Sequence, residues 1–173
     1  GSDLKTVDLC AGLDSAILLL QPRLQGKLAG QSPQCEIHLT KVYETLPKVE
    51  CYPSQLNQAL MSVLCNAIES FDPTFIMPHP PITRESRQIE VRTQAIDGYA
   101  TIEIIDNGSG IPESIHAYIF DPFFTTKPVG QGKGLGLSLA YQIIVGQHGG
   151  TLTFESQPGQ GTRFKVSIPL RQT

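Results

Sequence analysis

The sequence predicts an α/β domain, because stretches of helical and of strand periodicity alternate along its 173 residues. Apolar residues recur every three or four positions in some stretches, as in amphipathic helices, and at every second position in others, as in strands. Asp97-Gly98 lies between two such alternating runs and is a strong signal for a hairpin turn. We expect a single domain, since the length suits one hydrophobic core and no internal repeat is present.

The predicted elements follow in a definite order. The predicted helices cover 7–24, 53 to about 71, 113–119 and 135 to about 145. The predicted strands cover 36–43, 48–52, 88–94, 99–105, 151–156 and 162–169, of which 48–52 is either a short strand or an extended connector. Pro22 should disturb the last turn of the first helix, Pro53 can begin the second, and Gly149-Gly150 should end the last. The proline-rich segment 72–86 is expected to be a long, mobile loop.

Composition and charge narrow the classes of function. The formal net charge of −3 and the absence of a basic run argue against nucleic-acid binding. No apolar run reaches membrane-spanning length and no signal peptide is recognisable, so we expect a cytoplasmic domain without membrane contact. The four cysteines are scattered, which favours buried free thiols over a disulfide or a zinc site. Residues 1–6 are interpreted as a cloning remnant and linker, and 7–173 as the domain, cut from a larger protein.

The glycine-rich segment before the last predicted helix is the first candidate ligand site. It reads Gly132-Lys133-Gly134-Leu135-Gly136, and Lys127 lies shortly before it. Glycines let a backbone approach a ligand closely, and a helix that begins there offers unpaired N–H groups and a positive dipole end. The segment therefore predicts a phosphate site, with a flexible surface loop as the alternative.

Asn66 is the second candidate, because it interrupts the apolar face of the predicted helix 53–71. Ser62, Glu69 and Ser70 lie three or four positions away, so they share one side of the helix with Asn66. Such a stripe is either the solvated face of the helix or a polar row directed at a ligand or metal.

Asp106 is the third candidate, since it ends a predicted strand and is followed by Gly108 and Gly110. This arrangement places a hydrogen-bond acceptor beside backbone that can approach a planar ligand. The alternative is an Asx-type turn that leads into the short helix.

Together, and in this order, the three motifs resemble the ATP-binding catalytic domain of bacterial sensor histidine kinases, within the superfamily of gyrase, Hsp90 and MutL. The resemblance covers roughly residues 50 to 170. The segment Phe-Asp-Pro-Phe-Phe-Thr-Thr-Lys at 120–127 is similar to the histidine kinases rather than to gyrase or Hsp90. The resemblance implies a two-layer α/β sandwich, in which helices pack on one face of a mixed sheet, and ATP and Mg²⁺ as cofactors.

The resemblance also implies roles for single residues. Asn66 would hold the Mg²⁺ that bridges the triphosphate, and Asp106 would accept a hydrogen bond from the adenine amine. Thr162 would act at the adenine through water, and 120–134 would form a mobile lid. The implied nucleotide-binding residues are Asn66, Asp106, Gly108, Gly110, Ile111, Lys127, Gly132, Lys133, Gly134, Leu135, Gly136, Leu137 and Thr162.

Two positions depart from the family pattern. Ser62 stands where gyrase-like ATPases place a glutamate base, which favours phosphoryl transfer over hydrolysis. Glu69 stands where many histidine kinases carry a lysine, which predicts a lower affinity for phosphate.

The four histidines lack the residue pattern of a phosphoacceptor and are interpreted as surface or packing residues. The resemblance therefore implies a protein histidine kinase domain of two-component signal transduction that holds no catalytic residue of its own. Its partners would be a dimerisation domain with the acceptor histidine and a response regulator, and the isolated chain would not phosphorylate itself. A non-catalytic nucleotide-binding or adaptor module is the alternative.

Overall fold

The computed structural model describes residues 3–26, 36–72, 86–122 and 136–172. Its strands are β1 (Lys5–Val7), β2 (Ile37–Tyr43), β3 (Val49–Cys51), β4 (Arg87–Ile96), β5 (Tyr99–Asp106), β6 (Thr151–Gln157) and β7 (Gly161–Pro169). Its α-helices are α1 (Leu9–Leu19), α2 (Gln21–Leu24), α3 (Pro53–Glu69) and α4 (Gly136–Tyr141). A 3₁₀ helix covers Glu113–Tyr118, and a π-helical turn, Gln142–Gln147, continues α4.

Five of these strands form a mixed sheet in the order β2-β4-β5-β7-β6. The β2–β4 pair is parallel, whereas the other neighbours are antiparallel. The turn Asp97-Gly98 joins β4 to β5, as predicted, and both residues have positive φ. A second, two-stranded antiparallel sheet pairs β1 with β3.

The helices cover one face of the five-stranded sheet. Along β5, Ile102 and Ile104 are fully buried, whereas Glu103 between them is only partly covered. This alternation is expected of a strand with one face on the core and one face towards solvent. Helix α3 packs against β5 and is flanked by α1 and α4. The predicted two-layer α/β sandwich is thus confirmed.

The first helix begins later than predicted. Residues 5–7 pair with 49–51, so Val7 belongs to a strand, and Lys5 and Thr6 are part of the fold rather than of a linker. Asp8 then caps α1, because its Oδ1 atom accepts a hydrogen bond from the N–H of Cys10 at 3.0 Å. The predicted disturbance at Pro22 is present, since α1 ends at Leu19 and a separate short helix, α2, follows.

The last helix ends where the sequence predicts. The N–H of His148 donates to the carbonyl of Ile143 at 3.0 Å, and that of Gly150 to Ile144 at 2.8 Å. Gly149 adopts φ 68°, a conformation that favours glycine, so the chain turns sharply into β6. Most of the predicted loop 72–86 lies outside the described residues. Within the described ranges, no helix has both the length and the apolar character needed to cross a membrane.

Candidate nucleotide site

Asp106 is buried at the end of the central strand β5, with 4% of its surface exposed. Its Oδ1 atom accepts a hydrogen bond from the N–H of Gly108 at 2.9 Å. The Asx-type turn predicted as an alternative is therefore present, and the carboxylate that forms it is buried. The two interpretations of Asp106 do not exclude each other.

Thr162 lies directly beside Asp106, because the two residues are partners in the register of β5 and β7. It is also buried, at 5% exposure. Both side chains share the sheet face of Ile104 and Phe164, since alternate residues of a strand point to the same side. The structure thus brings together two of the residues that the sequence assigned to adenine.

Ser156 organises this end of the sheet, and sequence reasoning missed it. Its hydroxyl accepts a hydrogen bond from the N–H of Ile111 at 2.7 Å and donates to the carbonyl of Gly161 at 3.0 Å. Its Oγ atom also lies 2.9 Å from Oγ1 of Thr162. Because the one hydroxyl proton of Ser156 goes to Gly161, the Thr162 hydroxyl donates to Ser156.

The glycines of the Asp106 turn are required by protein packing. A Cβ atom at Gly108 would collide with the side chain of Ser70 at the end of α3. Gly110 adopts φ 74°, and a Cβ atom there would collide with the carbonyl of Gln157. The backbone at these two glycines approaches the end of α3 and the end of β6 closely, whereas the predicted approach to a planar ligand stays a prediction.

The turn is fastened to the helix that carries Asn66. The N–H of Ser109 donates to the carbonyl of Ser70 at 3.1 Å, and the Ser70 hydroxyl donates to the carbonyl of Ala67 at 2.7 Å. Asn66 is half-buried, one turn before Ser70 on α3. The end of α3 and the end of β5 are thus joined by hydrogen bonds at one corner of the fold, which carries Asn66, Asp106 and Thr162.

Helix α4 places a further part of the predicted site beside α3, in the helical layer of the fold. It begins at Gly136, which is exposed, with Leu137 half-buried, and it packs against α3. The other predicted residues of this segment, and the predicted lid beyond residue 122, lie outside the described residues. These residues are Lys127, Gly132, Lys133, Gly134 and Leu135.

The two positions that depart from the family pattern have structural partners. The hydroxyl of Ser62 donates to the carbonyl of Gln58 at 3.1 Å, one turn earlier on the same helix. Oε1 of Glu69 lies 3.8 Å from Nη2 of Arg23 on α2. Sequence reasoning missed Arg23, because nothing in the local sequence links it to the end of α3.

The described histidines are packing or surface residues, as predicted. His148 is buried, with Nε2 accepting from the N–H of Tyr52 at 3.0 Å and Nδ1 at 2.8 Å from the carbonyl of Ile143. Only a neutral ring with its proton on Nδ1 satisfies both contacts.

The other described histidines lie elsewhere. The His116 ring packs edge-on against Phe154, and His38 is exposed on β2. His79 lies outside the described residues.

Of the cysteines that the structure describes, Cys51 matches the prediction of a buried thiol, whereas Cys10 and Cys65 are less buried than predicted. Cys51 is fully buried, and this burial raises the pKa of its thiol. Cys10 and Cys65 are half-buried, and Cys35 lies outside the described residues. Burial also raises the pKa of Cys10, against the opposing effect of its contact with Thr93.

The polar side of α3 fits a magnesium ion chemically. Asn66 offers one half-buried amide oxygen, and Mg²⁺ prefers hard oxygen ligands while keeping several waters. In the described part of the chain, no cluster of three or more His, Cys, Asp or Glu side chains could hold a metal by itself.

Comparison with known proteins gives the same family as the motifs. A family model described as histidine kinase-, DNA gyrase B- and HSP90-like ATPase matches residues 51–172. Sporulation kinase E of Bacillus subtilis is 35% identical over 130 residues, which are 75% of this chain and 16% of that protein. Sensor histidine kinase ZraS of Escherichia coli O157:H7 is 33% identical over 149 residues, which are 85% of this chain and 29% of that protein.

Solved structures of histidine kinases have a similar fold. A crystal structure of histidine kinase ThkA in complex with the response regulator TrrA matches with a TM-score of 0.72 at 22% identity. The match covers 97% of this chain and 42% of that one. This chain spans less than a third of the length of either curated relative. As the ordered motifs predicted, the chain belongs to the family of histidine kinase-, DNA gyrase B- and HSP90-like ATPases, as an ATP-binding domain of the sensor histidine kinase type.

Proposed function

We propose that this domain binds Mg-ATP and donates the γ-phosphate to a histidine on a dimerisation domain outside this chain. One observation carries the proposal. Asp106 and Thr162 lie side by side, both buried, on neighbouring strands, at the corner where the Asp106 turn is fastened to the helix of Asn66. A buried acceptor and a buried hydroxyl at a fixed spacing suit the polar edge of a planar base.

The role proposed for Asp106 is to select adenine. Its carboxylate is oriented by the N–H of Gly108. An ionised carboxylate only accepts hydrogen bonds, so it favours a base that presents an amine over one that presents a carbonyl at that position. Thr162 donates to Ser156 and keeps acceptor capacity on its oxygen, through which a bridging water can reach the base.

The role proposed for Asn66 is to hold the metal of the nucleotide. Its amide oxygen would take one coordination position, and the phosphates and waters would fill the others. The metal, when bound, offsets the negative charge of the phosphates during transfer. Asn66 itself contributes orientation, because α3 is fixed by Ser70 and Ser109 to the corner that holds Asp106.

The proposed reaction is transfer rather than hydrolysis. Ser62 cannot act as a base towards water, and its hydroxyl donates to the backbone of its own helix. Phosphoryl transfer depends mainly on positioning and electrostatics, so an acceptor supplied by another domain completes the site. We infer a dimerisation domain and a response regulator as partners, and the cytoplasm as the location, because ATP is consumed there.

A transfer assay tests this proposal. The chain is mixed with radiolabelled ATP and Mg²⁺, first alone and then with a dimerisation domain that carries an acceptor histidine. We expect no label on the chain alone and slow, acid-labile labelling of the added domain, because the tether that raises effective concentration is missing. Labelling of the chain alone would mean that one of its own histidines is the acceptor. Nucleotide binding without any transfer to the added domain would instead favour an adaptor module.

A further inference from the structure

Arg23 reaches the polar side of α3 from α2. Its Nη2 atom lies 3.8 Å from Oε1 of Glu69, and the two side chains are 29% and 16% exposed. Glu69 follows Asn66 by three positions, so the two residues are neighbours on the same side of the helix. A carboxylate thus lies beside Asn66, to which we assign the metal of the nucleotide, and a guanidinium lies against that carboxylate.

We propose that Arg23 is a positioning residue of the nucleotide site, which neutralises Glu69 and so allows a triphosphate to bind next to it. The proposal rests on the proposed function, because it requires the phosphates to lie near Asn66. It adds a residue outside the three motifs, from a segment far from them in sequence.

The charges explain why such a residue is needed. A triphosphate is strongly anionic, and a carboxylate one helical turn from its metal ligand would repel it. Because Glu69 is mostly buried, water and salt screen its charge less than they would on an open surface. A guanidinium stays charged at every relevant pH, so Arg23 offsets the carboxylate permanently.

The contribution of the pair to folding should be small. A separation of 3.8 Å is longer than a good hydrogen bond, and ion pairs with partly exposed members stabilise proteins only weakly. If Arg23 only tied α2 to α3, its loss would affect all ligands alike. If it acts on the phosphates, the drop in affinity caused by its removal should depend on the charge of the ligand and on the salt concentration.

The chain offers a matched control pair on the opposite face of the sheet. Nη1 of Arg163 lies 3.4 Å from Oε2 of Glu103, and Glu103 is 16% exposed, the same fraction as Glu69. Arg163 alternates with Thr162 along β7, so its side chain points away from the proposed site. Arg163→Gln therefore removes the positive charge that faces Glu103, a carboxylate as exposed as Glu69, at a place where no phosphate is expected.

The experiment is calorimetric titration with Mg-ATP and with Mg-ADP, at low and at high salt. Arg23→Gln should bind ATP about five- to tenfold more weakly than the wild type at low salt. Its affinity for ADP should fall by less, and the loss of ATP affinity should shrink at high salt. Glu69→Gln should bind ATP more tightly than the wild type. The double variant should return to near wild-type affinity, and Arg23→Lys and Arg163→Gln should bind like the wild type.

Three results would overturn the proposal while leaving the proposed function intact. The first is an unchanged ATP affinity in Arg23→Gln. The second is an equal loss for ATP and ADP that does not depend on salt. The third is weaker Mg-ATP binding in Glu69→Gln, which would make Glu69 a group that the metal needs. Absence of Mg-ATP binding to the wild type would contradict the proposed function itself.

Discussion

The hydroxyl oxygens of Ser156 and Thr162 lie 2.9 Å apart and join β6 to β7 at the corner of the candidate site. Ser156 also accepts from the N–H of Ile111, so one side chain couples the Asp106 turn to the last strand. Ser156→Ala leaves this partly buried N–H without its partner, which costs up to about 1–3 kcal/mol, the range for a fully buried polar group. Chemical denaturation should show a loss of this size.

Ser167→Ala is the control for that measurement. Ser167 lies on the neighbouring strand β7 and has its hydroxyl oxygen 3.3 Å from that of Thr101, a longer contact that leaves no backbone N–H without a partner when it is lost. Its loss should cost less than about 1 kcal/mol. Equal losses in the two variants would show that Ser156 has no special role at the corner.

Gly161 should resist substitution more strongly than Gly159. Both have positive φ, but only at Gly161 would a Cβ atom collide with the backbone carbonyl of Asp106. Gly159→Ala should cost roughly 1–2 kcal/mol for the left-handed conformation alone. Gly161→Ala should cost more than this in thermal unfolding, since the backbone of the Asp106 turn must also shift. Similar unfolding temperatures for the two variants would contradict the close approach of β7 to Asp106.

Cys51 should react with alkylating agents only after unfolding. It is fully buried, and burial raises the pKa of its thiol, so both access and the reactive thiolate are reduced. Mass spectrometry after iodoacetamide treatment should find Cys51 unmodified in the native chain and modified in denaturant. Rapid native labelling at Cys51 would mean that the β1–β3 sheet opens readily.

Much of the fold could be predicted from the sequence, because its long elements carry clear periodicity. Helix α3 begins at Pro53 and the β4–β5 hairpin turns at Asp97-Gly98, as predicted. Strand β1 could not be predicted, since its three residues show no alternation and their pairing with β3 depends on tertiary contacts. The boundary of the first helix was wrong for the same reason.

The candidate site was predictable only in part. Asp106 was recognisable, because an acidic residue at a strand end before spaced glycines is a local pattern. Its partnership with Thr162 depends on the register of β5 and β7, which are far apart in sequence. The contact of Arg23 with Glu69 also joins distant segments and could not be inferred from periodicity.

Asn66 should act through the metal. Asn66→Ala is expected to weaken ATP binding strongly in Mg²⁺ and little in EDTA, since the amide oxygen is needed only when the metal is present. Asn57→Ala on the same helix is the control, because Asn57 lies next to Gly12 of α1. Equal losses of ATP affinity with and without the metal would indicate a folding defect. No loss in either condition would mean that Asn66 only belongs to the solvated face of α3 and binds no metal.

Calorimetric titration of Asp106→Asn with Mg-ATP tests most directly whether this domain binds the adenine of ATP at Asp106. The substitution keeps the shape of the side chain but can turn a donor towards the adenine amine, which should weaken binding about ten- to a hundredfold. Asp14→Asn on α1, which removes an exposed carboxylate that pairs with Lys41, is the control and should bind ATP normally. Only Asp106→Asn should lose affinity strongly, and unchanged ATP affinity in that folded variant would contradict the assignment of Asp106 to adenine.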